Sequence, residues 1–360
     1  MKTSLYDLER HQLDELCDGQ PSYRVDQLWQ GLYRDFAPIG EITTIPKALR
    51  AELEEAAAPA LTQVQRQSAD KGQTIKWLWK LHDGHQVETV LMLYPKRATV
   101  CVSSQAGCAM ACGFCATGQA GFDRHLTAGE IIEQVVEAAR AAGDRRVSNV
   151  VFMGMGEPLA NFDHTWRAVG RFTDAMGMSA RSITMSTVGL VPGIKKLIEA
   201  ERPVTLAVSL HAANDSLRTE LVPINARYPI DDLCEAMIGY RARKGRRVSL
   251  EWALIDGVND RESDAKELAA LSRRVRAHIN LIPLNPTPGY AVRGTPPKRV
   301  YAFRDRLEEL GANATVRKTR GLEIDAACGQ LAARHSESAA SDSAQPVTIS
   351  RAPQAEKQAN

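Results

Sequence analysis

From about Arg97 to residue 316, short β-branched apolar runs alternate with longer stretches of helical periodicity. The strand-like runs fall at 98–102, 149–153, 182–185, 204–208, 248–254, 279–282 and 314–316, and the helical ones at 128–142, 192–200, 231–242, 263–277 and 298–310. Repeated βα units bring parallel strands together with helices outside them, as an open sheet or as a barrel. Six or seven such strands suit an α/β barrel that is incomplete. In either architecture, chemistry belongs at the carboxyl ends of the strands.

What precedes this region reads differently. Residues 1–90 are expected to form a small accessory domain, with helical spacing at 5–16 and 25–32 and a helix entered through Pro46. Two strands at 75–79 and 87–93 are expected to pair across Asp83-Gly84. Residues 91–333 form the main domain, and the Ser-, Ala- and Gln-rich stretch at 334–360 reads as a disordered tail. No window approaches the ~20 continuous apolar residues of a membrane span, and the N-terminus has no apolar signal core. A soluble, cytoplasmic protein with no membrane partner is expected, and 44% hydrophobic residues suffice for a full core without disulfides. A net charge of +2 decides nothing about partners. Basic runs at 241–247, 273–276 and 317–320 permit a phosphate-binding face; each also reads as a solvated helix end or loop.

The seven cysteines carry more information. Cys108-Ala-Met-Ala-Cys112-Gly-Phe-Cys115 puts three soft thiols on the loop after the first barrel-type strand. Three thiolates suit an iron–sulfur cluster that normally takes four ligands, leaving one iron open for a substrate-like ligand. Buried inert cysteines rarely fall so densely. A structural zinc site would show a second ligand pair, and an electron-transfer cluster a fourth nearby cysteine, whereas the next here is Cys234, in a helical pattern.

Polar residues recur at the ends of successive strands. Met153-Gly-Met-Gly-Glu-Pro158 closes the second, with glycines that admit close backbone approach and Glu157 suited to pair with an ammonium group. Ser186 ends the third, Ser209-Leu210-His211 the fourth, and Asn285 follows the sixth. Any one could be a cap or a satisfied core group; their recurrence favours a shared pocket.

The C-x3-C-x2-C spacing after a strand resembles the signature of the radical S-adenosylmethionine superfamily, with Phe114 as its aromatic and Gly156-Glu157 within its Gly-Glu-Pro motif. The runs Cys101-Val-Ser-Ser-Gln-Ala-Gly-Cys108, Val208-Ser-Leu-His-Ala212, Val222-Pro-Ile-Asn225 and Ala326-Ala-Cys-Gly-Gln330 narrow this to the RlmN-type RNA adenine-C2 methyltransferases. Tyr23-Arg-Val-Asp-Gln-Leu-Trp29 and Pro46-Lys-Ala-Leu-Arg50 resemble that family's accessory domain, and Glu323 departs from its pattern, where Asp is expected. The resemblance implies a partial (β/α)6 TIM-like barrel and a [4Fe-4S] cluster on Cys108, Cys112 and Cys115. It implies S-adenosylmethionine held by Gly156, Glu157, Ser186, Ser209, Leu210, His211 and Asn285.

It also implies a two-stage, ping-pong methyl transfer. Cys328 first takes a methyl group from one S-adenosylmethionine. A second is cleaved reductively on the cluster, and its radical removes hydrogen from that methyl. The methylene radical adds to carbon 2 of adenine in 23S rRNA or in the anticodon region of tRNA, and Cys101 then releases product by forming a disulfide with Cys328. Glu88 matches an acid that handles protons, and separately an exposed strand carboxylate would look the same. A reducing electron donor such as a flavodoxin or ferredoxin is implied, and a monomer is expected. Two alternatives remain open at this point: a Cfr-type enzyme acting on carbon 8, and a non-catalytic iron–sulfur or RNA-binding protein that would need neither Cys101 nor Cys328.

Overall fold

A computed structural model describes residues 3–285, 287 and 292–331; the expected tail at 334–360 lies outside them. The chain divides into two compact units, Met1–Gly107 with Phe122–Met185, and Cys108–Gly121 with Ser186–Asn360.

The first unit carries β1 (Thr62–Ala69), β2 (Thr74–Lys80), β3 (Gln86–Tyr94), β4 (Arg97–Cys101), β5 (Gln105–Gly107), β6 (Phe122–His125), β7 (Val147–Phe152) and the start of β8 (Ile183–Thr187). The expected hairpin is present: β2 and β3 pair antiparallel, and Gly84 takes a positive φ in the turn. β1 was not legible in the sequence, because Thr-Gln-Val-Gln-Arg-Gln-Ser-Ala has no apolar alternation; it is an exposed strand that, among the described residues, pairs along β2 alone. β3 pairs antiparallel with β4, which begins a parallel run through β7 and β8. The expected domain boundary at residue 90 therefore falls inside β3, a strand bonded on both sides.

Helices Arg10–Leu16, Tyr23–Tyr33 and Lys47–Ala56 pack through Leu13, Leu28, Leu32, Leu49 and Leu53, all buried. One carboxyl ties this segment down. Glu133, on the helix Ala128–Ala141, accepts from the backbone N–H of Ala60 (2.8 Å) and the hydroxyl of Ser4 (3.2 Å). Burial raises its pKa to about 7, against the pull of the Ala60 and Leu61 amides. A carboxyl raised in the folded state holds its proton more tightly there than in the unfolded chain. Its contribution is full below the unfolded value near 4.5 and is lost as pH rises through about 7. Glu133→Gln is therefore expected to be more stable than wild type at pH 8, by on the order of 2–3 kcal/mol, with the gap closing towards pH 5. Denaturant titrations at both pH values check this; a gap independent of pH would refute it.

The second unit carries β9 (Thr205–Ser209), β10 (Ser249–Leu254), β11 (His278–Pro283) and β12 (Ala314–Val316), paired parallel in that order. Helices Ile230–Lys244, Glu262–Val275 and Pro297–Glu309 alternate with them. The α/β expectation thus holds: β4, β7 and β8 are paired parallel in the first unit, and β9 to β12 in the second. Helix Ile230–Lys244 runs two residues past the expected end at 242 and stops at Gly245, which takes the left-handed conformation. No described helix is long and apolar enough to cross a membrane.

Candidate active site

In the first unit, Cys101 closes β4 and is buried, with Val90 of β3 opposite it. Glu88 lies two residues from Val90 and so shares the face of Cys101, while Thr89 points the other way and donates to Gln134 Oε1 at 2.9 Å. Glu88 is buried rather than an exposed strand carboxylate, and its Oε1 is 2.9 Å from Nζ of Lys76, which is buried too. Lys76 was missed in the sequence; a single lysine inside the apolar run Ile75–Trp79 was the only signal.

After β7 the backbone passes very close to the segment after β4. A Cβ at Gly154 would lie 2.6 Å from the Val102 carbonyl, and one at Gly156 would lie 2.5 Å from Gln105 Cβ, at φ +99°. Gln105 Oε1 accepts from the Glu157 amide at 2.7 Å, and the buried Glu157 carboxylate accepts from the Leu159 amide at 3.0 Å. The loop is held as a preformed turn with its acid in place. Gly156→Ala is expected to cost S-adenosylmethionine affinity at least tenfold without loss of iron, because an L-residue is strained at that φ and overlaps Gln105. Equilibrium dialysis with the labelled cofactor decides; unchanged binding would remove Gly156 from the site.

In the second unit, the three-cysteine loop is folded tightly. The Cys115 amide donates to the Cys112 carbonyl (3.1 Å), Ala111 takes φ +52°, and a Cβ at Gly118 would meet Cys112 O at 2.9 Å. Cys112 is buried, and Cys108 and Cys115 are half-buried. Cys115 caps the short helix Ala116–Ala120. Burial pushes its thiol pKa up, opposed by the Gly118 and Thr117 amides. Those donors favour a thiolate once a metal displaces the proton. Among the described residues, no three His, Cys, Asp or Glu side chains converge on a single-ion position. The thiol-only donor set on one loop fits the cluster.

The Cys328 segment is bound to this loop. The Ala116 amide donates to Gly329 O (2.8 Å), Thr117 Oγ1 to Leu331 O (2.5 Å), and Asn285 Nδ2 to Cys328 O (3.0 Å). Thr287 Oγ1 donates to Phe114 O at 3.2 Å, and a Cβ at Gly329, where φ is +87°, would be 3.6 Å from that carbonyl. Cys328 is near enough to Cys115 for its charge to bear on that thiol. No disulfide is present among the described cysteines.

At the end of β9, the Leu210 amide donates to Glu251 O (3.0 Å). His211 takes a left-handed φ of +57°, and its ring meets Phe114 edge-on at 4.6 Å. The Ala253 amide donates to His211 Nδ1 (2.9 Å), and burial pushes the imidazole pKa down to about 3. The ring is therefore neutral with its proton on Nε2, a donor in place of a cation. Asn259, not singled out in the sequence, fixes this corner by donating to His211 O (2.8 Å) and Ala253 O (2.7 Å). Ser186 and Ser209, both half-buried, stand on β8 and β9.

Residues 102–269 match the Radical SAM superfamily. The chain is 49% identical over 350 residues to a probable dual-specificity RNA methyltransferase RlmN of Chloroflexus aurantiacus, covering 92% of this chain and 93% of that one. It is 47% identical over 338 residues to a dual-specificity RNA methyltransferase RlmN 1 of Myxococcus xanthus, covering 92% and 94%. Among solved structures, a radical SAM methyltransferase from Sphaerobacter thermophilus superposes with a TM-score of 0.89 at 48% identity, covering 92% of this chain and all of that one.

Proposed function

The chain belongs to the RlmN family of dual-specificity RNA methyltransferases within the radical SAM superfamily, and from that premise we propose that it methylates carbon 2 of adenosines in 23S rRNA and in the anticodon region of tRNA. The observation that carries this reading is the docking of the Cys328 segment on the three-cysteine loop through Ala116, Thr117 and Asn285. An electron carrier or a simple RNA-binding module has no use for a thiol held there.

When bound, the [4Fe-4S] cluster on Cys108, Cys112 and Cys115, with its S-adenosylmethionine, supplies a carbon-centred radical. The chain's own groups do the rest. Glu157, Gly156, Ser186, Ser209, Leu210, His211 and Asn285 hold the cofactor, with His211 donating from Nε2. The Cys328 thiolate attacks a methyl sulfonium, so a carbon–sulfur bond forms as another breaks. Activated by loss of a hydrogen atom, that methyl group bonds to carbon 2, which has no acidic proton and resists direct attack on a sulfonium. Glu88, beside Lys76, handles the proton lost from that carbon. The Cys101 thiolate then attacks the Cys328 sulfur, and the sulfur–methylene bond breaks onto the carbon. That carbon takes up a proton to become the methyl group, while the one electron left from radical addition returns to the redox partner. The disulfide formed in turnover is reduced before the next cycle.

The base must be extruded or in a loop, because carbon 2 is inaccessible in a stacked helix. Not every basic run serves the RNA. Arg274 pairs with Asp231, and Arg273 donates to the Leu310 carbonyl, so these two side chains are engaged within the fold. Arg243, Arg247 and Lys318 are exposed and suit phosphate contacts, alongside the N-terminal accessory segment. A flavodoxin or ferredoxin would supply the electrons to a cytoplasmic monomer. Mass spectrometry of an rRNA fragment after turnover tests the assignment: methyl on carbon 2 supports it, and methyl on carbon 8 would replace it with the Cfr-type reaction.

A further inference from the structure

Arg218 is a permanent cation with no exposed surface, on the helix Asp215–Leu221 of the second unit. Its hydrogen bonds go to neutral oxygens: Asn225 Oδ1 at 2.8 Å, Val188 O at 2.6 Å and Ser209 O at 3.4 Å. Its Nε is buried without a partner. The nearby Asp215 carboxylate favours the charge electrostatically, while its Oδ1 accepts from Asn225 Nδ2 and the Ile230 amide, both at 2.9 Å. Burying a charge whose own hydrogen bonds go only to neutral oxygens is costly, so its retention needs a reason.

The surroundings supply one. Leu217 and Leu221, flanking Arg218, pack in one buried cluster with Cys112, Phe114 and Ala212, against which Cys115 and Val188 also lie. The loop over the guanidinium is shaped to admit it: Gly189 has φ +104°, and a Cβ there would be 3.1 Å from an Arg218 terminal nitrogen. Burial lowers the Arg218 pKa to about 10, so it stays charged at neutral pH, and Cys112, Asp215 and Cys234 are the groups whose negative charge would favour that state. The side chain is sealed from solvent and cannot touch a bound ligand; it acts through its field.

We propose that Arg218 is the built-in counter-charge of the cluster on Cys108, Cys112 and Cys115, a positioning residue that makes the cluster easier to reduce. The inference rests on the reading that these three cysteines hold the cluster. Reduction adds one negative charge to the cluster, and a fixed cation behind Cys112 stabilises the more negative state.

The test is a redox titration of the reconstituted full-length protein without S-adenosylmethionine, followed by the electron paramagnetic resonance of the reduced cluster. Arg218→Met and Arg218→Gln are each expected to lower the reduction equilibrium constant at least tenfold, equal to 59 mV for one electron. Arg218→Lys is expected to stay within threefold of wild type. A loss of stability alone would leave the potential of the correctly folded, iron-loaded fraction unmoved, and that result in either neutral variant would overturn the proposal, as would a Lys variant shifted as far as the neutral ones. Should Met fail to fold, Gln, which can still donate to the Val188 carbonyl, carries the comparison with Lys. Wild-type protein that binds no cluster would instead overturn the underlying functional reading.

Discussion

Cys328→Ala is expected to abolish RNA methylation, by at least about 10⁴-fold, while iron content and the visible absorbance of the cluster stay at wild-type values. The size of the effect follows from the proposed chemistry, in which this thiol is the carrier of the methyl group. The sparing of the cluster follows from the structure. The contacts that seat this segment use backbone carbonyls of Cys328, Gly329 and Leu331, not the Cys328 sulfur. Removing Sγ therefore leaves Asn285, Ala116 and Thr117 their partners. Reductive cleavage of S-adenosylmethionine, read as 5′-deoxyadenosine, should continue uncoupled from RNA. A Cys328→Ala enzyme that methylates RNA would refute the methyl-carrier mechanism.

Cys101→Ala is expected to give the opposite chemical phenotype, with product release lost and a covalent protein–RNA adduct accumulating through Cys328. Resolution needs a second thiolate to attack the Cys328 sulfur, and Cys101 is the residue assigned to it. Structural damage should be small: Cys101 is at the end of β4, where its backbone pairing with Val90 and Val151 does not depend on the side chain, and alanine removes one buried sulfur. Denaturing gel electrophoresis with labelled RNA reads the result. Free, methylated RNA as the sole product would show that another group resolves the intermediate. The double variant should form no adduct, which separates true trapping from non-specific cross-linking.

Much of this was legible in the sequence because the relevant signals are local. The strands β4 and β7 to β12 announce themselves as apolar β-branched runs, and the three-cysteine loop is eight residues long. β1 was not legible, since an exposed strand needs no apolar face and Thr62–Ala69 has none. Glu88 was ambiguous for a related reason: whether a strand carboxylate is solvated or buried depends on what packs against it from the next strand, here Lys76, diagonally across on β2. Of the basic runs, charge alone could not tell Arg274, held by Asp231, from the exposed Arg247.

The sequence by itself determined the α/β class, the positions of the polar strand ends and the family, and it singled out Cys108, Cys112 and Cys115 as the proposed cluster ligands, because these depend on residue types at short, fixed spacings. Only the tertiary structure decided that Cys328 docks beside Cys115, that His211 is a neutral donor, and that Arg218 is a sealed cation whose hydrogen bonds go to neutral oxygens. Those properties are set by burial and by contacts between residues far apart in the chain. Desolvation acts on where a group ends up, and a one-dimensional pattern does not contain that information.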